Sequence, residues 1–281
     1  MVRFLFQGLC PRYAKSSAET RCVMSKAKGK KQVFLLFIVV LAAAIIFLIP
    51  VAATVVQSLQ TDGVLSLAGY QELLLNCFPF YQMFWNSVLY AAAITVGAIL
   101  ISILAAFAFQ FAQFRAKKLL YILYIVLMMM PLQVMVLPNY IGLRELGLLD
   151  TRAAIIVPLV FSPLGTVVLR QYMEGNDVQV VEAARLETNS CLRIMWHCVL
   201  PQLRVCIYAV ALFLFAEAWN LVEQPILYVR NDDKRNLSIF FSQMDQYEGN
   251  VLYPAAVLFM LPVFLWYLMY HRELKEGLKY Q

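Results

Sequence analysis

The sequence predicts an all-α membrane protein of six transmembrane helices, and three observations carry that prediction. Hydrophobic residues make up 62% of the 281-residue chain and charged residues only 14%, too few charges to cover the surface of a soluble domain of this length. No Lys or Arg occurs between Lys31 and Arg115, so that stretch is not a water-exposed surface. Six stretches reach the length of about 20 mostly apolar residues that a helix needs to span a bilayer core.

The first stretch runs from about Val33 to Leu59 and contains Pro50; the second covers about Asn86 to Gln110. The third, Leu119 to Ile141, is interrupted by Pro131 and Pro138, and the fourth, Ala153 to Tyr172, carries Pro158 and Pro163. The fifth spans Val205 to Val229, and the sixth Val251 to Tyr270 with Pro254 and Pro262. Backbone polar groups in lipid must be satisfied within the segment, so these are helices rather than open strands. Their prolines mark kinks, which either shape a pathway or only serve packing. Residues 1–32 are then a cytoplasmic N-terminal segment, and residues 33–281 a six-helix domain with a long cytoplasmic loop at 173–204.

Lys and Arg counts in the flanks set the orientation. Eight precede the first stretch, three lie from Arg115 to Lys118, four from Arg170 to Arg204 and three at the C-terminus. That makes 18 on one side against five on the other: Arg144, Arg152, Arg230, Lys234 and Arg235. Both termini are therefore expected in the cytoplasm. The net charge of +6 then faces an anionic leaflet and implies no nucleic acid. Of the six cysteines (Cys10, Cys22, Cys77, Cys191, Cys198, Cys206) only Cys77 falls on the outer side, so no outer disulfide within the chain is expected. None has metal-binding spacing, and they read as small apolar fillers. Met24 opens an ordinary basic flank; it is the expected natural start, or else residues 1–23 are disordered. The apolar run after Lys31 is too long for a cleaved signal peptide.

The loop between the fourth and fifth stretches is the most informative segment. From Val180 to Leu203, charged residues sit among apolar ones at helical spacing: Val181, Ala184, Leu186, Leu192, Met195 and Val199. Ala183 and Ala184 favour helix and add almost no bulk, so such a helix can lie in a groove of another protein. Thr188, Asn189 and Ser190 interrupt it, and Asn189 tolerates the left-handed conformation of a turn. Two short helices with a bend are expected.

Glu182-Ala183-Ala184, followed by Leu200-Pro201, resembles the EAA loop of permease subunits of binding-protein-dependent ABC importers. Other stretches are similar to the carbohydrate branch, of the maltose-permease type. They include Asn86-Ser87, the run from Ala105 to Phe109, Pro131 with Pro138, Leu146 to Thr151, Trp219-Asn220 through Pro225, and Glu276-Gly277-Leu278. The similarity covers roughly Val33 to the C-terminus, and the joint order of these motifs carries it. Two positions depart from the pattern. Thr188 stands where the family has Gly, and Glu187 where Asp is usual; a β-branched Thr resists positive φ, so the bend is expected at Asn189 or is less sharp.

The resemblance implies the type I ABC importer permease fold in the cell (inner) membrane. It implies that Glu182, Ala183, Ala184, Leu186, Glu187, Thr188, Asn189, Leu200 and Pro201 form the surface that docks on a cytoplasmic ATPase. The expected partners are a second permease subunit, two ATPase subunits and an extracytoplasmic solute-binding protein. The chain has no G-x-x-x-x-G-K-[ST], so it is not itself an enzyme; ATP and Mg belong to the partner and no cofactor or metal is expected here. Glu217, Trp219, Asn220 and Glu223 are candidate solute-pathway residues, because a carboxylate at membrane depth normally faces a cavity and hydroxylated solutes need acceptors, amides and aromatic faces. A structural role for the two carboxylates fits equally well. A sugar or oligosaccharide is the expected solute. An oligopeptide, polyol or glycerophosphodiester, and a non-transporting scaffold or sensor, are the alternatives. His197 and His271, the only histidines, form no metalloprotease motif, which argues against a membrane enzyme. The aromatic segment Leu65 to Trp85 reads as an interfacial belt or a docking surface for the binding protein, a role also open to the loop from Asn231 to Asn250.

Overall fold

The computed structural model describes residues 30–61, 64–176, 178–188, 190–243 and 249–279. They fall into two compact units, Met1–Val56 and Gln57–Gln281. Helix α1 (Lys30–Ser58) is 29 residues long and supplies the described part of the first unit, where its side chains from Leu35 to Pro50 are exposed all round. That is the pattern of a lipid-immersed helix, which has no polar face to turn to water.

In the second unit a two-residue antiparallel pair, β1 (Gln60–Thr61) with β2 (Val64–Leu65), leads into helical residues 68–76. Helix α2 (Phe78–Phe111), with Pro79 in its first turn, has 34 residues. That corresponds to about 51 Å, well beyond a bilayer core of about 30 Å. Its buried stripe, Phe80, Met83, Ser87, Tyr90, Ile94, Ala98, Ser102 and Ala106, recurs every three or four residues along the whole length. Small residues let neighbours close in: a Cβ on Gly165 would sit 2.6 Å from Ser102 Oγ, and one on Gly97 would sit 3.0 Å from Val160.

Pro131 and Pro163 break two of the later spans, whereas Pro138, Pro158, Pro254 and Pro262 lie inside continuous helices. Helix α3 (Lys117–Met128) ends before Pro131, which has no N–H to give and keeps Met130 out of helical geometry. The chain turns by 107° into α4 (Leu132–Glu145). Pro163 separates α5 (Arg152–Val160) from α6 (Pro163–Asn176) in the same way, while Thr151 caps α5 by accepting the Ala154 amide at 3.3 Å. Then follow α7 (Val178–Glu187), α8 (Cys191–Gln202), α9 (Arg204–Trp219), α10 (Glu223–Tyr228), α11 (Leu237–Ser242) and α12 (Gly249–Lys279). Four helical spans are long and apolar enough to cross a membrane, α5 and α6 together being one of them. Two further helix pairs, α3–α4 and α8–α9, are apolar enough together but bent by 107° and 80°; the number is six where each bent pair is one broken span. The fifth span differs from its sequence expectation. It ends at Trp219 instead of continuing to Val229, because Asn220 turns its side-chain amide back onto the Ala216 carbonyl (2.7 Å) and the chain restarts as α10.

The core has two parts. One, at the Phe78 end of α2, joins Phe80, Tyr90, Phe215, Trp219, Tyr228 and Phe240. The other, at the Phe111 end, joins Ala106, Leu169, Met173, Val181, Ile194, Val199 and Leu203. The expected aromatic belt accordingly divides: Phe78, Tyr81 and Trp85 are exposed, whereas Phe80 stacks edge-on with Phe240 and Phe84 with Trp219.

At the Phe78 end, polar side chains of α2 hold the segment that precedes α11. Asn86 donates to the carbonyls of Asp233 (2.7 Å) and Arg235 (3.0 Å), Tyr90 to that of Lys234 (2.7 Å), and Ser87 accepts the Leu237 amide (2.7 Å). Asp150 makes a second clamp. Its carboxylate accepts the amides of Asn231 (3.0 Å) and Arg230 (3.1 Å), with Lys234 Nζ 3.8 Å away. Asp150 also holds φ at 56°, a conformation that Asp and Asn bear better than most residues. These contacts, the amide of Asn231 first, keep its carboxyl below the ordinary carboxylate range. A group whose folded pKa is depressed stabilises the fold above its unfolded pKa and loses that contribution as pH falls through the folded value. Below about pH 4 the clamp should therefore loosen. The expected result is an acid-dependent loss of thermal stability that is smaller in Asp150→Asn, which keeps the turn but has no charge to titrate at this position.

Candidate functional site

The 178–203 segment forms the expected pair of short helices. The turn between them is made by hydroxyls: Thr188 Oγ1 accepts the Ser190 amide (3.3 Å), and Ser190 Oγ accepts the Arg193 amide (3.4 Å), opening α8. Among the described residues positive φ occurs only at Asp150 and Gly147, so Thr188 turns the chain without entering the left-handed region. Asn189 lies outside the described residues. Further on, Met195–Val199 is a π-helical turn, and the wider turn accommodates Pro201, which has no amide to place in the ladder. Leu200 is half-buried and Pro201 exposed at the sharp turn into α9.

The apolar residues of this loop divide between two faces. Val181, Ile194, Met195, Val199 and Leu203 point inward and, with half-buried Ala184, pack near Phe107, Phe111, Tyr172 and Met173. Arg185 donates to the Phe111 carbonyl at 2.8 Å, fastening α7 to the end of α2. Glu182, Ala183, Leu186 and Glu187 form the outward face of α7. Leu186 is 90% exposed, and on α8 Leu192 is 63% and Trp196 56% exposed. So large an apolar display rimmed by charge marks an interaction surface. Trp196 was missed in the sequence, although its place four residues after Leu192 puts both on one helical face.

The four pathway candidates are not brought together. Glu217 borders a recess of about 120 Å³ with Pro158, Phe161, Ser162 and Pro163, at the break between α5 and α6. Asn220 opens instead on an apolar groove beside Phe213, Phe259 and Phe264. Trp219 is 0% exposed, wedged among Phe84, Phe215 and Phe259, and its indole N–H donates to the Phe259 carbonyl at 3.0 Å. It therefore offers no face to a solute in this conformation. Glu223 lies on α10 rather than on the fifth span, exposed, and accepts a long bond from Gln133 (3.4 Å) at the α3–α4 break. Both carboxylates thus stand at proline breaks, where freed backbone groups also gather.

Residues 98–271 match the sequence profile of a family described as the binding-protein-dependent transport system inner membrane component. The chain is 32% identical over 203 residues to an sn-glycerol-3-phosphate transport system permease protein of Brucella abortus (strain 2308), covering 70% of this chain and 72% of that one. A protein with the same description from Yersinia pestis bv. Antiqua (strain Antiqua) is 29% identical over 208 residues, with 72% and 74% covered. Among solved structures, the fold is similar to a chain in the crystal structure of a bacterial ABC transporter involved in the import of the acidic polysaccharide alginate. The TM-score is 0.76 at 18% identity, with 87% of this chain and 98% of that one covered.

Proposed function

The chain belongs to the family of inner membrane components of binding-protein-dependent transport systems, and from that premise we propose that it is the permease subunit of an ATP-driven importer of neutral, sugar-like solutes. Its termini lie in the cytoplasm, as the charge asymmetry of the flanks favours. It pairs with a second permease, since one such bundle encloses no pore, and it receives solute from an extracytoplasmic binding protein. The exposed face of Glu182, Ala183, Leu186, Glu187, Leu192 and Trp196 supports docking on an ATPase subunit, which holds the ATP and Mg. The turn through Thr188 and Asn189 and the Leu200-Pro201 bend set the angle of that face. Movement there passes through Arg185 and the Phe107–Phe111 packing into α2, which, like α9, contributes to both parts of the core.

The preference for a neutral solute rests on one observation. No Lys or Arg stands in the middle of an apolar stretch, while Glu217 stands within the fifth span and Glu223 just beyond it at the start of α10, both exposed. Carboxylates accept hydrogen bonds from sugar hydroxyls and repel phosphate or uronate groups. The test is uptake by cells with and without this chain, offered labelled neutral sugars, polyols and sn-glycerol 3-phosphate. Chain-dependent uptake of a neutral compound is expected. Chain-dependent uptake of the phosphate ester alone would contradict the solute assignment while leaving the importer assignment standing. In the same assay Trp196→Ala should lower uptake severalfold without lowering the amount of inserted chain, as expected when an exposed aromatic anchor is removed from an interface.

A further inference from the structure

The hinge between α2 and α3 encloses a second recess, unrelated to either site above. Its volume is about 280 Å³, and its charged lining is entirely cationic: Arg115, Lys117, Lys118 and Arg170, with Phe109 and Tyr121 as walls. Two of the cations are occupied. Lys117 Nζ donates to the carbonyls of Gln110 (2.8 Å) and Ala112 (3.0 Å), closing the end of α2, and the Arg170 guanidinium lies 3.8 Å from the centre of the Tyr121 ring. The nearest carboxylate partner is that of Glu174, exposed and 4.0 Å from Arg170. Arg115 and Lys118 are exposed and have no polar partner among the described residues.

We propose that this recess binds the phosphate of an anionic phospholipid headgroup. Four cations without a carboxylate in the lining leave a positive field that an anion would neutralise, and Arg170, seated over the Tyr121 ring with its Nε donating to the Phe109 carbonyl (3.4 Å), keeps its terminal nitrogens as further donors. A lipid is favoured over a protein partner by what lies next to the cations. Leu119 is 70% exposed, and Ile122 and Met129 are exposed on the Lys118 face of the same helical run, so an acyl chain can continue along α3 from a headgroup held at its start. Basic recesses between membrane helices on the cytoplasmic side are suited to such headgroups. The bound lipid would pin the α2–α3 hinge, at the same end of α2 to which Arg185 of α7 is fastened.

The test is native mass spectrometry of the full-length chain, delipidated in a neutral detergent. It is titrated with phosphatidylglycerol, with phosphatidylcholine of the same acyl chains, and with inorganic phosphate as competitor. Phosphatidylglycerol should bind at least several-fold more tightly than phosphatidylcholine, and the double variant Arg115→Gln/Lys118→Gln should lose on the order of tenfold in that affinity. A control removing two other charges, Arg193→Gln/Arg204→Gln, should lose little, which separates a site from general surface charge. Equal affinity for the two lipids, or equal losses in both double variants, would overturn the proposal. Displacement by millimolar inorganic phosphate would reassign the site to free phosphate. An unchanged lipid count with loss of a co-purifying protein in Arg115→Gln/Lys118→Gln would reassign it to that partner.

Discussion

Ala183→Arg is expected to abolish solute uptake while leaving the chain folded and inserted. The two halves of that expectation come from the same side chain. Within this chain Ala183 is exposed on the outward face of α7, between Glu182 and Leu186, so a longer residue meets only solvent. In a docked complex the same position is where helix and groove approach most closely, and a buried, unpaired guanidinium there costs about 3–5 kcal/mol. That is enough to weaken association by more than about 100-fold. Val181→Arg, two residues earlier, should behave differently. Val181 is 1% exposed in the core beneath α7, so the charge would fall inside the chain and reduce the amount of folded protein. Uptake measured beside circular dichroism and gel filtration separates the outcomes. Ala183→Arg should lose uptake with both physical profiles unchanged, and Val181→Arg should disturb all three.

Trp219→Ala should destabilise the chain by about 3–5 kcal/mol, as truncation of a buried tryptophan does. Trp219 fills the space between α2, α9 and α12, stacked near-parallel with Phe215 and edge-on to Phe84. Its backbone carbonyl accepts the Ser238 hydroxyl at 2.9 Å, so the same residue also fixes α11. Trp219→Phe keeps most of the packing and loses the bond to the Phe259 carbonyl, at a cost of about 1 kcal/mol. Thermal unfolding of the detergent-purified variants gives the order: wild type, then Phe, then Ala. A direct part in solute binding would show another pattern, with uptake lost in Trp219→Ala and the melting curve unmoved.

The spans were legible because composition reports burial in lipid directly, and their breaks because Pro131 and Pro163 cannot continue a helical ladder. The end of the fifth span was not. Polar residues do interrupt the run from Val205 to Val229, at Glu217, Asn220, Glu223 and Gln224, with Pro225 after them, but they do not say which of them ends the helix; the return of the Asn220 amide onto Ala216 places the end there. The outward face of α7 was present in the arithmetic of the sequence, since Leu186 stands four residues after Glu182 and three after Ala183. The same arithmetic separates Val181 and Ala184 from them, yet a list of apolar positions puts Val181, Leu186 and Met195 together. The clamp on the segment before α11 was illegible for a different reason. Asn86 and Asp233 are 147 positions apart, and no local pattern announces a contact between them. Trp219 and Glu217 show the limit for the pathway. Two residues apart on one helix, they read alike in sequence as polar-tipped groups in an apolar run, and only packing puts one in the core and the other beside a recess.

The central claim, that this chain is an importer permease coupled through the α7–α8 face, is tested most directly by purifying the tagged wild-type chain from its native membrane in a mild detergent and identifying its partners by mass spectrometry. The account predicts a second permease and an ATPase carrying the G-x-x-x-x-G-K-[ST] phosphate loop, present in comparable amounts, with the ATPase cross-linking to a cysteine placed at Leu186. A folded chain that recovers no ATPase under these conditions, or one whose ATPase cross-links elsewhere and never to position 186, would contradict it.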